Sequence, residues 1–521
     1  MNADGARKWW ALAGLTLGVL AVGLDATVLS VALPTLAGSL RASASDLQWF
    51  VSAYTLALAV GLLPGGLLGD RFGRKKVMMI TLAVFGLSSL ACAFSPGPGA
   101  FIAARTVLGL SAGVMVPLVL SIVTVLFTGE QRTRAVGVWA AANFLALPIG
   151  PILGGWLLSS HWWGWVFLMN LPVVVIGLAA MALLVPESRA AGRPRLDPAG
   201  IVASCGGLAA LVYGFIAAGQ YGWSSATAIA AMAGGAAILA AFVAWERTLG
   251  RRGGQPLVDL GLFRSARFTW GTVLQAFGIF AMFGLLFAAP QFFQAILGVS
   301  AMGSGVRLLP LMVGLALGAG LADRVAARLT TKLTAALGFI LLSCGLVLGA
   351  TMTVASGDAF IAAWTAITGA GFGLALATAA STALAGLPKA SAGIGPAVMQ
   401  AVQKAGSPLS AAILGSVLAS AYRSRLHLAG LPAPLAGAAR SSVFAGLAVA
   451  RRTGSVALLD SVRGAFVHGI DAMLWVSAGL AATAAVLALA FLPWRGAPGA
   501  APVAATRTGA EGAESPHERV A

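Results

Sequence analysis

Long apolar runs, separated by short polar loops, fill most of this 521-residue chain. Roughly 20 apolar residues in a helix cross about 30 Å of hydrocarbon. Fourteen stretches approach that length, at 9–33, 47–69, 77–95, 101–126, 136–158, 165–185, 200–218, 226–245, 269–294, 306–322, 333–353, 360–385, 396–420 and 470–493, the tenth being the shortest and weakest. Backbone N–H and C=O groups cannot go unpaired in lipid, which makes each run a helix. The two-residue alternation of a membrane barrel is missing. Arg7 and Lys8 ahead of the first run resemble the start of a secretory signal. The run itself exceeds the apolar core of such a signal and lacks a convincing cleavage site, so it reads as a retained first span.

The basic residues of the short loops set the orientation. Arg71, Arg74, Lys75 and Lys76 follow the second run, Arg132 and Arg134 the fourth, and Arg189, Arg193 and Arg195 the sixth. Arg247, Arg251, Arg252, Arg264 and Arg267 follow the eighth, and Arg324, Arg328 and Lys332 the tenth, while the intervening loops are nearly bare. An even number of spans then leaves both termini in the cytoplasm. The stretch 421–469 breaks the pattern, with six arginines on the side expected to be outside. Long loops translocate largely regardless of charge. Its periodic part near 441–450 fits an interfacial helix, and the tail after Gly496 has the composition of a disordered segment.

Composition agrees with lipid as the solvent. Residues are 59% hydrophobic and 9% charged, with mean hydropathy +0.91, more apolar surface than a water-soluble globule of this length hides. The 67 glycines suit close helix packing. A net charge of +17 in a soluble chain would suggest nucleic acid. Here the charge sits in loops and reads as topology, so no nucleic-acid partner is expected. Cys92, Cys205 and Cys344 each lie in an apolar run, without metal or disulfide-framework spacing. No phosphate-binding Gly-x-x-x-x-Gly-Lys-Ser/Thr occurs, so no bound nucleotide is expected. His161, His427, His468 and His517 are scattered. The reading is of a chain with no catalytic centre, metal or cofactor.

The segment Gly66-Leu67-Leu68-Gly69-Asp70-Arg71-Phe72-Gly73-Arg74-Lys75 joins the second and third runs. It resembles the signature loop of the major facilitator superfamily, in which glycines permit a tight turn and an acid and several bases form a charge cluster. Asp70 at a helix end can pair with a helix terminus or an arginine. A positive-inside loop with chance glycine spacing is the bland alternative. In the fourth run, Ala104-Arg105 with Gly109 and Gly113 resembles the family's arginine motif. In the fifth, Gly137, Gly150-Pro151 and Gly154-Gly155 resemble the glycine motif of its antiporters, with Ala146 at one expected glycine. Physically, that motif is a helix-packing device with a proline bend. Leu24-Asp25-Ala26-Thr27 through Pro34, Gln48-Trp49-Phe50 through Tyr54, Trp165 through Pro172, Leu196-Asp197-Pro198-Ala199-Gly200 and the stretch 290–310 are similar to the 14-span drug:proton antiporter branch. Gly164 departs from it, since relatives often carry arginine there. The resemblance covers residues 9 to about 420.

Asp25 stands out on physics alone, because an ionised carboxylate inside an apolar span is costly. Such an acid should face a water-filled cavity or the bundle interior, where reversible protonation is its natural use; the alternative is a wet acid near the outer end. Arg105 is the only base in its span. It is either a partner in proton coupling, electrostatically linked to Asp25, or a snorkelling arginine. The thirteenth run holds Gln400, Gln403 and Lys404 but no acid; relatives that export divalent cations often carry one there, which argues against such cargo. Tyr54, Asn143, Phe144, Asn170, Gln291, Gln294, Gln400 and Gln403 are candidates for a substrate cavity, although polar residues in spans often only join helices.

The resemblance implies an all-α integral membrane protein with 14 transmembrane helices in a major facilitator fold: two six-helix halves and two extra central helices. The division would be a cytoplasmic N-terminus (1–8), a first bundle (9–185), a linker (186–199), the extra pair (200–245), a second linker (246–268), a second bundle (269–493) with the long loop at about 421–469, and a cytoplasmic tail (494–521). Asp323-Arg324-Val325-Ala326-Ala327-Arg328 would be a faint second copy of the signature loop. The implied activity is alternating-access antiport in the inner membrane, with protons and a small-molecule substrate as partners: Asp25 and Arg105 couple the proton and the Asp70 loop is a cytoplasmic latch. In the simplest scheme a lipophilic cation competes with the proton at Asp25. Drugs, antibiotics or one endogenous metabolite all fit as cargo, and an uptake symporter is the rival within the family. The Ala, Gly and Arg bias hints at a GC-rich bacterial genome.

Overall fold

Serine, threonine and proline punctuate the apolar runs and set where helices begin. Ser43 caps α2 (Ala44–Phe72) in a reciprocal box with Asp46, and Pro98 opens α4 (Pro98–Leu126), where its missing N–H costs nothing. A computed structural model of the chain describes residues 3–127, 129–189, 197–252, 254, 257, 260–354, 356–387, 394–428 and 430–492, and all its regular structure is helical. The first group is completed by α1 (Ala3–Ser39), α3 (Arg74–Ala93), α5 (Gly129–Ser160), α6 (Trp165–Leu168) and α7 (Asn170–Leu184). Next come α8 (Pro198–Tyr221) and α9 (Ala226–Arg251). The last group is α10 (Ala266–Ala295), α11 (Ala301–Arg307), α12 (Leu309–Arg328), α13 (Thr331–Gly349), α14 (Asp358–Ala385), α15 (Ile394–Arg425), α16 (Ala433–Ser441), α17 (Val443–Thr453) and α18 (Val456–Phe491).

Two apolar cores form. One is built almost wholly from residues between Ala11 and Val185, the other almost wholly from residues between Leu274 and Leu492. Glycine lets helices touch within each core. Gly113 of α4 lies against Gly61 of α2, such that a Cβ would meet the Gly61 Cα at 3.0 Å. In the second core, Gly349 faces the Trp364 ring of α14, at 2.9 Å from where its Cβ would stand. The pair α8–α9 packs against α15 and α2 through α8. Only 11% of the apolar window of α9 is buried, so its Ile229, Ile238 and Trp245 face outward, as lipid requires.

Eleven helices are long and apolar enough to cross a membrane among the described residues, or twelve if α2, bent by 50° around Pro64, is one span. The count of fourteen is thus only partly matched. The fifth and thirteenth predicted runs fall on α5 and α15, many of whose side chains lie outside the described residues. The sixth run breaks at Met169 into α6 and α7. The tenth is longer than its composition suggested: α11 and α12 continue each other with Pro310 in the first turn of α12, and Arg307 there pairs with Asp358 at 2.8 Å. The faint second signature loop at 323–328 is helix, the end of α12. The stretch near 441–450, expected to be an interfacial helix, is helical as α17, which buries Val443, Gly446, Leu447, Val449 and Ala450 against the protein. The tail 494–521 lies outside the described residues.

Gly113→Val forces α2 and α4 apart, and overpacking of this kind costs about 1–3 kcal/mol. Purified Gly113→Val should unfold at a clearly lower temperature than the parent, while Gly99→Val, where nothing lies within 4 Å, should not.

Candidate functional site

The α1 residues Gly23, Ala26, Thr27 and Ser30 face one way and Asp25 faces another, because successive residues of a helix are 100° apart. Asp25 points into the first core and meets Arg105 of α4: Nη1 donates to Oδ2 at 2.5 Å, with the two side chains 0% and 1% exposed. The Arg105 Nε donates to the Phe50 carbonyl at 3.3 Å, and the guanidinium lies over the Tyr54 ring, 4.1 Å from its centre. Tyr54 Oη donates to the Val22 carbonyl at 3.3 Å, tying α2 to α1 one turn from the acid. Asn170 lies within electrostatic reach of Asp25 and donates to Ser89 Oγ at 3.0 Å. Asp25 Oδ1 is buried with no hydrogen-bond partner among the described residues. Asp25, Arg105, Tyr54 and Asn170, four residues nominated in different roles, thus share one constellation. Ion pairing, a cation–π contact and a carbonyl compensate the cost of burying the charges.

The glycine motif of the fifth run joins α5 to two neighbours. Gly150 faces Thr27, and Gly154 faces Val28 of α1. Where Ala146 stands in place of a glycine, its methyl meets Gly23, 2.7 Å from where a Cβ would lie there. Gly155 lies against the backbone of Ala301 and Met302, at 2.7 Å from its would-be Cβ to the Met302 Cα. In return, Gly305 of α11 sits on the Pro151 carbonyl. These contacts cross between the two cores, as does the Gln294 Nε2 bond to the Val31 carbonyl at 3.0 Å. All lie toward the end of the bundle away from the signature loop. The side chain position at Gly137 falls outside the described residues.

At the other end, Asp70 pairs with Arg74 at 2.8 Å, one helical turn across the break between α2 and α3. Gly73 makes that break with φ +109°, a conformation that costs a side chain dearly. Gly69 packs on Leu118, and Gly66 is loosely placed, with Pro117 at 4.0 Å. Arg71 is exposed over Phe72. Lys75 Nζ donates to the Ala182 carbonyl at 2.7 Å. A residue not anticipated from the sequence organises this turn. The carboxylate of Glu187 accepts from the backbone N–H of Lys75 and of Lys76, each at 3.1 Å, which places a negative charge at the N-terminus of α3. The signal for it was an acid placed just ahead of the three arginines of a loop.

Between the cores lies a cavity of 370 Å³, lined by α1, α2, α5, α10, α12, α14 and α15. Its wall is apolar, with Met282, Phe283, Phe287 and Phe372, and its hydroxyls come from Thr27, Ser30 and Ser407. None of the nominated cavity residues lines it among the described side chains. Tyr54 and Asn170 belong to the ion-pair constellation behind α1. Gln291 donates to its own helix at Phe287, 2.9 Å away. Gln294 bridges the cores, and Gln403 donates to Gln275. Gln400 is half-buried elsewhere on α15, and the side chains of Asn143 and Phe144 fall outside the described residues. Polarity marked these residues in the sequence, but polar side chains in a dry bundle are consumed by helix contacts. Asp25 does not line the cavity either, so direct competition between a bound cation and a proton at this carboxylate does not fit the geometry.

Arg105→Ala leaves a buried carboxylate uncompensated and should cost about 3–5 kcal/mol of stability. Removing both charges, as Asp25→Asn with Arg105→Met, should cost less than Arg105→Ala alone. Thermal unfolding of the purified variants measures the coupling.

The fold and sequence have known counterparts. Residues 15–203 match the model of the Major Facilitator Superfamily. The chain is 34% identical to the multidrug efflux pump LfrA of Mycolicibacterium smegmatis, over 93% of this chain and 96% of that one. It is 30% identical to the tetracenomycin C resistance and export protein of Streptomyces glaucescens, over 93% and 91%. Among solved structures, it is similar to a bacterial homolog of the human lysosomal transporter Spinster, with TM-score 0.67 and 16% identity over 94% of this chain and 99% of that one. The D-xylose-proton symporter gives TM-score 0.60 and 16% identity, over 93% and 98%. Membrane-spanning helices in two cores, and a sequence shared end to end with efflux proteins, establish that the chain belongs to the major facilitator superfamily of transporters, in the branch that holds these drug and antibiotic exporters.

Proposed function

We propose that this protein is a proton-coupled antiporter that exports small lipophilic compounds across a bacterial cell membrane by alternating access. Fourteen spans, both termini in the cytoplasm, six-helix bundles over 9–185 and 269–493 and an added pair over 200–245 complete the reading. The observation that carries it is the Asp25–Arg105 pair, sealed inside a span of a chain whose relatives are efflux proteins. A charge pair buried at such cost has two stable states, ionised and protonated, and a switch needs two.

In this scheme the proton acts through α1 rather than at the cargo. One face of α1 carries Asp25; the other carries Thr27 and Ser30 to the cavity and Thr27 to Gly150 of α5, while Val28, at the flank, meets Gly154. Protonating Asp25 releases Arg105 and loosens the hold of α4 on α1. The close packing of α1 on α5, and of α5 on α11, then has to be remade. Contacts gathered at the end away from the basic loops favour an inward-open state as the one described. Opening of the opposite end requires Gly155 and Gly305 to part, while the Asp70–Arg74 turn, held by Glu187, serves as the cytoplasmic latch. Export of one dedicated metabolite fits the same site, since relatives are named for tetracenomycin C and actinorhodin.

In inside-out vesicles with an imposed pH gradient, an exported compound should collapse the gradient with the parent protein. Asp25→Asn, reconstituted at equal amounts, should still bind the compound but move no protons with it. Proton-driven transport at the parental rate by Asp25→Asn would remove Asp25 from the coupling.

A further inference from the structure

The central cavity is short of one thing that carriers of cations need. Every acid on the seven helices that line it, Asp25 excepted, lies within six residues of an end of its helix. This holds from the sequence of those helices, so side chains outside the described residues add no carboxylate to the middle of the wall. Asp25 is turned away and engaged by Arg105. A cation placed among Met282, Phe283, Phe287, Met312 and Phe372 would give up the stabilisation of its charge by water with no counter-charge in return.

Two of the three hydroxyls on the wall, those of α1, have a polarity of their own. Ser30 Oγ donates its proton to the Thr27 carbonyl at 2.7 Å. The single proton of Thr27 Oγ1 faces three carbonyls, of Gly23, Leu24 and Ala146, at 3.0, 3.1 and 3.2 Å. Both protons are committed to the helices, which leaves the oxygen lone pairs as acceptors. From these observations we infer that the cavity takes uncharged, aromatic, drug-sized compounds that bring a hydrogen-bond donor, such as a phenolic O–H or an arylamine N–H, and excludes cations. The aromatic and thioether wall supplies flat, polarisable contact, and 370 Å³ is within the range of small-molecule sites. The inference rests on the exporter reading and names the cargo of that site.

The test is direct binding, which does not depend on flux. The purified protein in lipid nanodiscs is titrated with N-phenyl-1-naphthylamine, a neutral fluorescent arylamine. Competitors are 1-naphthol, the N-methylated amine that lacks the donor, tetraphenylphosphonium and methyl viologen. Saturable binding is expected, displaced by 1-naphthol, about tenfold weaker for the N-methylated compound as one lost hydrogen bond predicts, and unaffected by either cation. Phe372→Ala should weaken binding, and Ser30→Asp should create displacement by tetraphenylphosphonium. Displacement by either cation in the parent at an affinity matching 1-naphthol overturns the inference, as does binding that Phe372→Ala leaves unchanged. Selective binding of the neutral amine without gradient-driven flux would instead count against the exporter reading and leave the cavity chemistry standing.

Discussion

A charge inside hydrocarbon has to be answered by another charge, and the arrangement around Asp25 follows from that constraint. The carboxylate sits in the interior of α1, so α4 must bring Arg105 to it, and α2 must bring the Tyr54 ring and the Phe50 carbonyl to Arg105. Three helices are thereby fixed in rotation about their own axes. Once α1 is fixed, its opposite face is fixed too, and that face supplies both the cavity hydroxyls and the surface on which α5 packs. The ion pair is therefore a specification of geometry as much as a source of stability; buried pairs often contribute little net stability beyond what apolar side chains would give.

Glycine does the complementary work. Between α2 and α4, between α1 and α5, and between α5 and α11, would-be Cβ positions lie closer to neighbouring atoms than any side chain tolerates. Contacts this close are made in one register and lost in another, since packed interfaces are bistable rather than elastic. Within a core that rigidity holds the bundle together. Between cores, at Gly155 and Gly305, the same close approach makes a tight seam.

Much of this was legible in the sequence for a simple reason: lipid leaves the backbone no choice but helix, so apolar length alone located the long elements. The positions of Asp25 and Arg105 were equally legible, because charges in apolar runs are rare and each must find a partner. The cavity was not legible. Its wall is made of Phe, Met and Leu, which a sequence cannot tell from residues facing lipid or core, whereas polar residues such as Gln294 and Gln403 drew notice and are spent on helix contacts. The helix breaks at Met169 and Leu308 were hidden as well, since they fall inside continuous apolar runs. Helix α16 and the long start of α18 lay in a stretch whose arginines resembled a loop.

Glu187 has a meaning for the architecture as a whole. It clasps the start of α3 after the first core's last long helix has ended, while Ser188 accepts the Arg74 N–H through its carbonyl at 3.0 Å. Arg7 and Lys75 meanwhile cover carbonyls at the end of that helix. The first core has thus tied off its own chain before α8 begins. Whatever follows residue 189 is attached to a finished knot, and α8 comes back to that bundle by packing its side on α2.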